Sequence, residues 1–363
     1  MFESGAADRY VRALIAEIDG WEKVEPAANV DTIYLGGGTP SLLSTEQIGQ
    51  ILKAVRARCQ LVSGAEVTIE MNPGDGETRS EESETRRNDK LSEWLDLGIN
   101  RVSFGAQTFD DEALKQLGRT HTVDDIRRTF RDLRAAGFTN INFDLIAGLS
   151  GQTLARWEQN LNEAIALRPD HLSLYLLDVH EGTPLFDQIQ RGMRAQPDDD
   201  LTAEMYRLMI ERVCAAGYEH YEISNFCLPG HEARHNTKYW IGAPYYGFGC
   251  SAHSYDGGFQ RWSNERDSAR YAGLIESRQS PVVEAVELSE QDARAESMFL
   301  GLRMMRGLSM RELQTRFGVN PFAAYQNDLE RFGEAGLIEV DGDLIKLTRN
   351  GALLSNEVFA AFV

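Results

Sequence analysis

Tyr34-Leu35-Gly36-Gly37-Gly38-Thr39-Pro40-Ser41 decides how this chain is read. An apolar strand, Thr32-Ile33-Tyr34-Leu35, runs straight into three glycines and then Thr-Pro. Three successive residues without Cβ let a ligand approach the backbone itself. Upstream, Tyr10, Leu14 and Ile18 stand at helical spacing. Downstream, Ser44-Thr45-Glu46-Gln47 carries the capping pattern of a helix start, and Ile48, Ile51, Leu52 and Val55 continue it as an apolar stripe. Further strands are predicted at 66–70, 101–104, 140–146 and 171–177, with helices at 90–97, 123–136 and 154–167 between them. Gly98 and Gly137 fall where helix C-termini want a left-handed residue.

Strands and helices alternating through short turns imply a parallel sheet with helices outside, either an open sheet or a barrel. Two features favour the barrel. Polar residues sit at the C-terminal ends of successive strands (Thr39, Glu70, Gln107 and Asp144), the end that carries the site in β/α barrels. The dinucleotide fingerprint is also absent, because Ser41 stands where its third glycine should be. No Gly-Lys-Ser/Thr follows to make a phosphate loop. Residues 74–89, GDGETRSEESETRRND, contain no apolar side chain and read as a mobile surface insertion.

The tail has a different pattern. Helices are predicted over 292–306, from Ser309, and from Pro321 to Phe332, and two apolar runs flank Asp341-Gly342-Asp343, a strong hairpin signal. Three helices and a β-ribbon describe a winged-helix-like module. Its stretch from 309 to 363 has five Lys/Arg against eight Asp/Glu, which disfavours DNA binding. The expected organisation is a partial (β/α) barrel over 1–178, its completion over 179–285, and the winged module over 286–363.

The 363 residues are 42% apolar, enough for a real core, and carry a net charge of −19. That field repels nucleic acid and anionic membrane. No run of about 20 apolar residues suggests a span, and no export signal is present. Cysteines at 59, 214, 227 and 250 fit neither a disulfide framework nor a zinc pattern. A reducing, cytoplasmic setting is the economical expectation. Taken as chemistry, the glycine backbone with Thr39, Glu70, Gln107, Arg119 and Asp144 suits a ligand bearing an ammonium, a carboxylate or a ribose. Taken singly, each is equally a tight turn or a helix cap.

Longer motifs add a family. Gly-Gly-Gly-Thr-Pro-Ser, Glu70 in Thr-Ile-Glu-Met-Asn-Pro, and Ser103-Phe104-Gly105-Ala106-Gln107-Thr108-Phe109 resemble radical S-adenosylmethionine proteins of the coproporphyrinogen-oxidase-like group. So do Leu117-Gly118-Arg119-Thr120-His121, Asn142-Phe143-Asp144-Leu145-Ile146 and Leu172-Ser173-Leu174-Tyr175. Within the group, Tyr221-Glu222-Ile223-Ser224-Asn225-Phe226, His235-Asn236-Thr237-Lys238-Tyr239-Trp240 and Gly247-Phe248-Gly249-Cys250-Ser251-Ala252-His253-Ser254 are similar to its heme chaperones rather than its decarboxylases.

The resemblance implies a radical-SAM barrel with Gly37, Gly38, Thr39, Glu70, Gln107, Arg119 and Asp144 around S-adenosylmethionine. It makes His235 the candidate heme contact, since neutral imidazole is a common axial ligand, with Cys250 and His253 behind it. It implies heme-accepting partner proteins and leaves a homodimer open. The alternative activity is oxygen-independent coproporphyrinogen III decarboxylation. One departure is plain: the group's 4Fe-4S cluster is held by Cys-x-x-x-Cys-x-x-Cys after the first barrel strand, and neither that motif nor that strand occurs here. Either the sequence starts downstream of them or this member has lost them. As written, the chain is expected to run no radical chemistry and to hold no metal of its own.

Overall fold

Each of the five predicted strands forms. They are β1 (Asn29–Leu35), β2 (Gln60–Met71), β3 (Arg101–Gln107), β4 (Ile141–Ala147) and β5 (His171–Leu176) in a computed structural model describing residues 4–21, 29–74 and 81–362. With β6 (Glu219–Glu222) and β7 (Asn225–Cys227) they make a curled half-barrel sheet in the order β1-β2-β3-β4-β5-β7-β6. The pairs from β2 to β5 are parallel, whereas β7 runs antiparallel to both β5 and β6. Helices Thr45–Arg58, Val123–Ala136 and Leu154–Leu167 connect the strands as their apolar spacing predicts. Ser44 and Gln47 close the capping box, and Gly137 caps its helix at φ 109°.

One expectation is corrected. Residues 75–80 of the polar stretch lie outside the described residues, but from Glu81 the chain is helical to Asp96. The mobile-insertion reading therefore fails over 81–89. Residues 81–89 hold no apolar side chain, but Arg87 is buried and its guanidinium lies 2.5 Å from Asp132. Leu91 and Trp94 then bury the rest of the helix.

The described chain forms two compact units. One runs from Thr68 to Glu232. In its core Phe143 packs on Phe104 and Phe130, ring centres 4.6 and 5.2 Å away, and Trp94 and Trp157 are fully buried. The other unit combines the chain up to Val67 with everything from Ala233 onward. It contains an antiparallel sheet that the sequence did not suggest, β8 (His253–Tyr255), β9 (Gln260–Asn264) and β10 (Val282–Glu287).

Its tail holds helices Glu290–Gly301, Met310–Phe317 and Gln326–Glu334, and the sheet β11 (Leu308–Ser309), β13 (Leu344–Leu347), β12 (Ile338–Asp341) in that order. The predicted hairpin is present, turning through Gly342-Asp343. Asp343 also reaches back along the sequence: its carboxylate accepts from Ser309 Oγ at 2.6 Å and from Arg311 N–H at 3.0 Å. Ser309 in turn caps the helix by accepting from Glu312 N–H. Gly351 sits so close to Leu337 that a Cβ there would lie 1.7 Å from the Leu337 carbonyl oxygen.

Candidate functional site

The glycine triplet follows β1 as an exposed loop. Gly37 has φ +79°, which a side chain would strain, while a Cβ at Gly37 or Gly38 would meet no atom within 4 Å. The backbone here is open to an approaching molecule. Thr39 starts the short 3-10 turn Pro40–Leu42, and its hydroxyl caps nothing there.

In the Thr68–Glu232 unit, strand register builds a polar wall. Glu70 pairs with Ser103, Ser103 with Asn142, and Asn142 with His171. Residues two apart along a strand share a face, so Asp144, paired with Ser173, stands on that face one step further along. Asn142 Nδ2 donates to Asp144 Oδ1 at 2.8 Å and to Ser103 Oγ at 2.7 Å. Burial pushes the Asp144 carboxyl up to about 6; the Asn142 bond and the Arg101 charge restrain the rise, and Glu70 adds to it. His171 is held neutral, its pKa driven well below the usual range by burial and by Arg101.

Gln107 ends β3 at a bulge with φ +63°. Its carboxamide folds back over Gly105, where a Cβ would lie 2.4 Å from Gln107 Nε2. The Gly in Phe-Gly-Ala-Gln thus makes room for that side chain. Arg119 donates to Asn72 Oδ1 at 2.9 Å, and the same oxygen lies 3.6 Å from the Gly105 Cβ position. Glu70, Gln107, Arg119 and Asp144 are therefore drawn to one end of this unit's sheet, with Asn72 and Asn142 between them. The two asparagines were missed: Asn72 reads as a turn residue before Pro73, and Asn142 as one more strand position.

His235 lies in the other unit, on the helix Arg234–Trp240. Glu66 of β2 holds that helix start, its two carboxylate oxygens accepting from Arg234 N–H and His235 N–H, both at 3.0 Å. Lys238 pairs with Asp31 of β1 at 2.7 Å. The imidazole stacks on Tyr34 with ring centres 5.1 Å apart. Nδ1 lies 2.9 Å from Thr32 Oγ1 and Nε2 lies 2.8 Å from Tyr239 OH. The ring is therefore fixed on three sides by residues of β1 and of its own helix. Of the two candidates behind it, Cys250 contacts Tyr10 OH through both N–H and Sγ, and His253 begins β8.

The Gly-Phe-Gly-Cys segment is anchored by a carboxylate that the sequence did not single out. Glu17 accepts from Gly249 N–H at 2.8 Å, Tyr271 OH at 2.5 Å and Asn264 Nδ2 at 2.6 Å. Burial raises its pKa against those three bonds. Beside it opens a cavity of about 1070 Å³ with Trp21, Tyr246, Phe248 and Trp262 in its wall, and none of the predicted site residues lines it. The cysteines do not come together as ligands: among the described residues no group of three or more His, Cys, Asp or Glu side chains is placed to hold a metal ion. Burial lifts the Cys227 thiol to about 12.

Residues 12–164 match the Radical SAM superfamily, and residues 288–354 match the HemN C-terminal domain. The chain is 35% identical to the heme chaperone HemW of Bacillus subtilis over 99% of its own length and 93% of that protein's. It is 34% identical to HemW of Lactococcus lactis over 98% and 89% of the two chains. The solved structure of the Escherichia coli coproporphyrinogen III oxidase HemN, a radical SAM enzyme, superposes with a TM-score of 0.83 at 23% identity, covering all of this chain and 84% of that one. That likeness establishes the common fold. With relatives this similar along nearly its whole length, the chain belongs to the HemW family of radical SAM proteins.

Proposed function

We propose that this chain is a heme chaperone that binds heme, passes it to acceptor proteins in the cytoplasm, and takes S-adenosylmethionine as a second ligand. The observation that carries the heme assignment is the fixed imidazole of His235. A His that ligates iron through one nitrogen needs the other oriented by a partner. We assign Nδ1 to Thr32 Oγ1, 2.9 Å away, and Nε2 to the iron. In that assignment Tyr239 OH, 2.8 Å from Nε2, is the group heme must displace.

S-adenosylmethionine fits the polar sheet end by its donor set. Carboxylates of Glu70 and Asp144 suit an ammonium or a ribose, and Arg119 suits a carboxylate. Gly37, Gly38 and Thr39 are assigned to the same ligand's amino-acid part, on the open backbone at that loop. The 4Fe-4S cluster typical of the superfamily supplies an electron when bound. The cysteines of the described residues do not fit it, and no step is derived through it. Among the described residues no helix is long and apolar enough to cross a membrane.

Hemin titration followed in the Soret band tests the heme assignment. His235→Ala is expected to abolish the saturable shift, and Tyr239→Phe to tighten binding because it removes the competing hydrogen bond. Parent-like behaviour of His235→Ala would sink the iron contact. Calorimetry with S-adenosylmethionine tests the second ligand, with Arg119→Ala expected to lose it.

A further inference from the structure

We propose that His171 and Asn142 are positioning residues for Asp144, forming with Tyr221 a one-way hydrogen-bond relay that aims its carboxylate at the ligand. The relay rests on the reading of Asp144 as an S-adenosylmethionine contact. It also gives a role to the Tyr221-Glu222-Ile223-Ser224-Asn225-Phe226 motif, which the proposed function leaves unused.

An Asn amide has two donors and two acceptor sites. Here all four are used: Nδ2 donates to Asp144 Oδ1 and Ser103 Oγ, and Oδ1 lies 2.6 Å from His171 Nδ1 and accepts from Ser173 Oγ at 3.2 Å. An ionised Asp144 only accepts, so Nδ2 must face it. Asn142 Oδ1 therefore faces His171, and an oxygen there requires the proton on Nδ1. Nε2 is left as an acceptor, and Tyr221 OH stands 2.8 Å from it. The protons thus point Tyr221 to His171 to Asn142 to Asp144. Asn142 and His171 are all but fully buried and Tyr221 nearly so, so water does not compete.

The geometry of the motif serves this end. Glu222, fully buried, accepts from Ser224 N–H at 3.0 Å and from Asn225 Nδ2 at 2.5 Å, fixing the β6–β7 turn next to Tyr221. β7 pairs with β5 through Ser173↔Asn225 and His171↔Cys227, which sets Tyr221 against the imidazole. The charged and titratable groups acting on Asp144 are Glu70 from β2 and Arg101 from β3; Tyr175 of β5 feels its charge in return.

The test uses the full chain and three readouts. Nitrogen-15 histidine NMR should show His171 neutral across about pH 5 to 8, where a free imidazole would titrate, and with Nδ1–H at about pH 7 to 8, where Asp144 is ionised. The Asp144 carboxyl, followed by carbon-13 NMR, should titrate higher in His171→Leu, because a loosened Asn142 donates less to the ionised form. Affinity for S-adenosylmethionine should fall about tenfold in His171→Leu and within about threefold in His171→Asn, which keeps an N–H at the Nδ1 position. Leu133→Ala, a packing change elsewhere in the unit, is the control for general destabilisation. An Nε2–H tautomer at about pH 7 to 8, or a His171→Leu protein whose Asp144 midpoint matches the control, overturns the relay. Should Asp144→Asn bind S-adenosylmethionine like the parent, the ligand assignment fails instead, and the two NMR readouts still judge the relay.

Discussion

Replacing Asp144 with Asn should stabilise the chain while costing it a ligand contact. The carboxyl titrates at about 6 instead of 3.8, because burial outweighs the help of Asn142 and Arg101. A folded state that raises an acid's pKa binds the proton more tightly than the unfolded chain does. It therefore loses stability as pH climbs from about 4 to about 6. Once the group is ionised the loss is about 3 kcal/mol. An Asn side chain has no proton to lose and can still accept from Asn142 Nδ2 through its oxygen. Urea unfolding, followed through the buried indoles of Trp94 and Trp157 in the same unit, measures the difference between variant and parent at several pH values. The variant's advantage should be small near pH 4 and grow to about 3 kcal/mol by pH 7. A difference that stays flat with pH would refute the claim that this carboxylate is held against its burial.

Four further outcomes are expected. Gly105→Ala should displace Gln107 and weaken S-adenosylmethionine binding, measured by calorimetry, with Gln107→Ala adding little on top because both act on one side chain. Glu66→Ala should cost about 1–2 kcal/mol, the scale of a lost helix cap, and lower hemin affinity in the Soret titration because Arg234 N–H and His235 N–H lose their acceptor. Glu17→Gln must turn one N–H of its amide toward a donor, so its melting temperature should fall by the equivalent of about 1–3 kcal/mol. Gly351→Ala drives a Cβ into the Leu337 carbonyl and should unfold the C-terminal module, seen as lost protection of the β12–β13 amides in hydrogen exchange.

The first five strands were legible because β-branched and apolar runs ended at glycines and prolines, as in Val67-Thr68-Ile69-Glu70 before Asn72-Pro73. The tail hairpin was legible for the same reason. The helix starting at Glu81 was not, since residues 81–89 hold no apolar side chain and a buried ion pair such as Arg87 with Asp132 leaves no periodic trace. Strands β6 to β10 escaped because most are three to five residues long, too short for a pattern. At the sheet end, Glu70, Gln107 and Asp144 showed themselves by position along their strands. Asn142 and His171 could be found only from register, which sets side by side two residues 29 positions apart.

Asp343 has a consequence for how the C-terminal module folds. The helix Met310–Phe317 has eight residues, too few to persist alone in water. Its start is tied to a turn residue 34 positions later in the chain, through Ser309 Oγ and Arg311 N–H. Closing the hairpin therefore adds an acceptor for Arg311 N–H and Ser309 Oγ to a start that otherwise has only the local Ser309 cap. Helix and hairpin thus stabilise each other across a long stretch of chain, and the entropy of closing that stretch is offset by the helix start it secures.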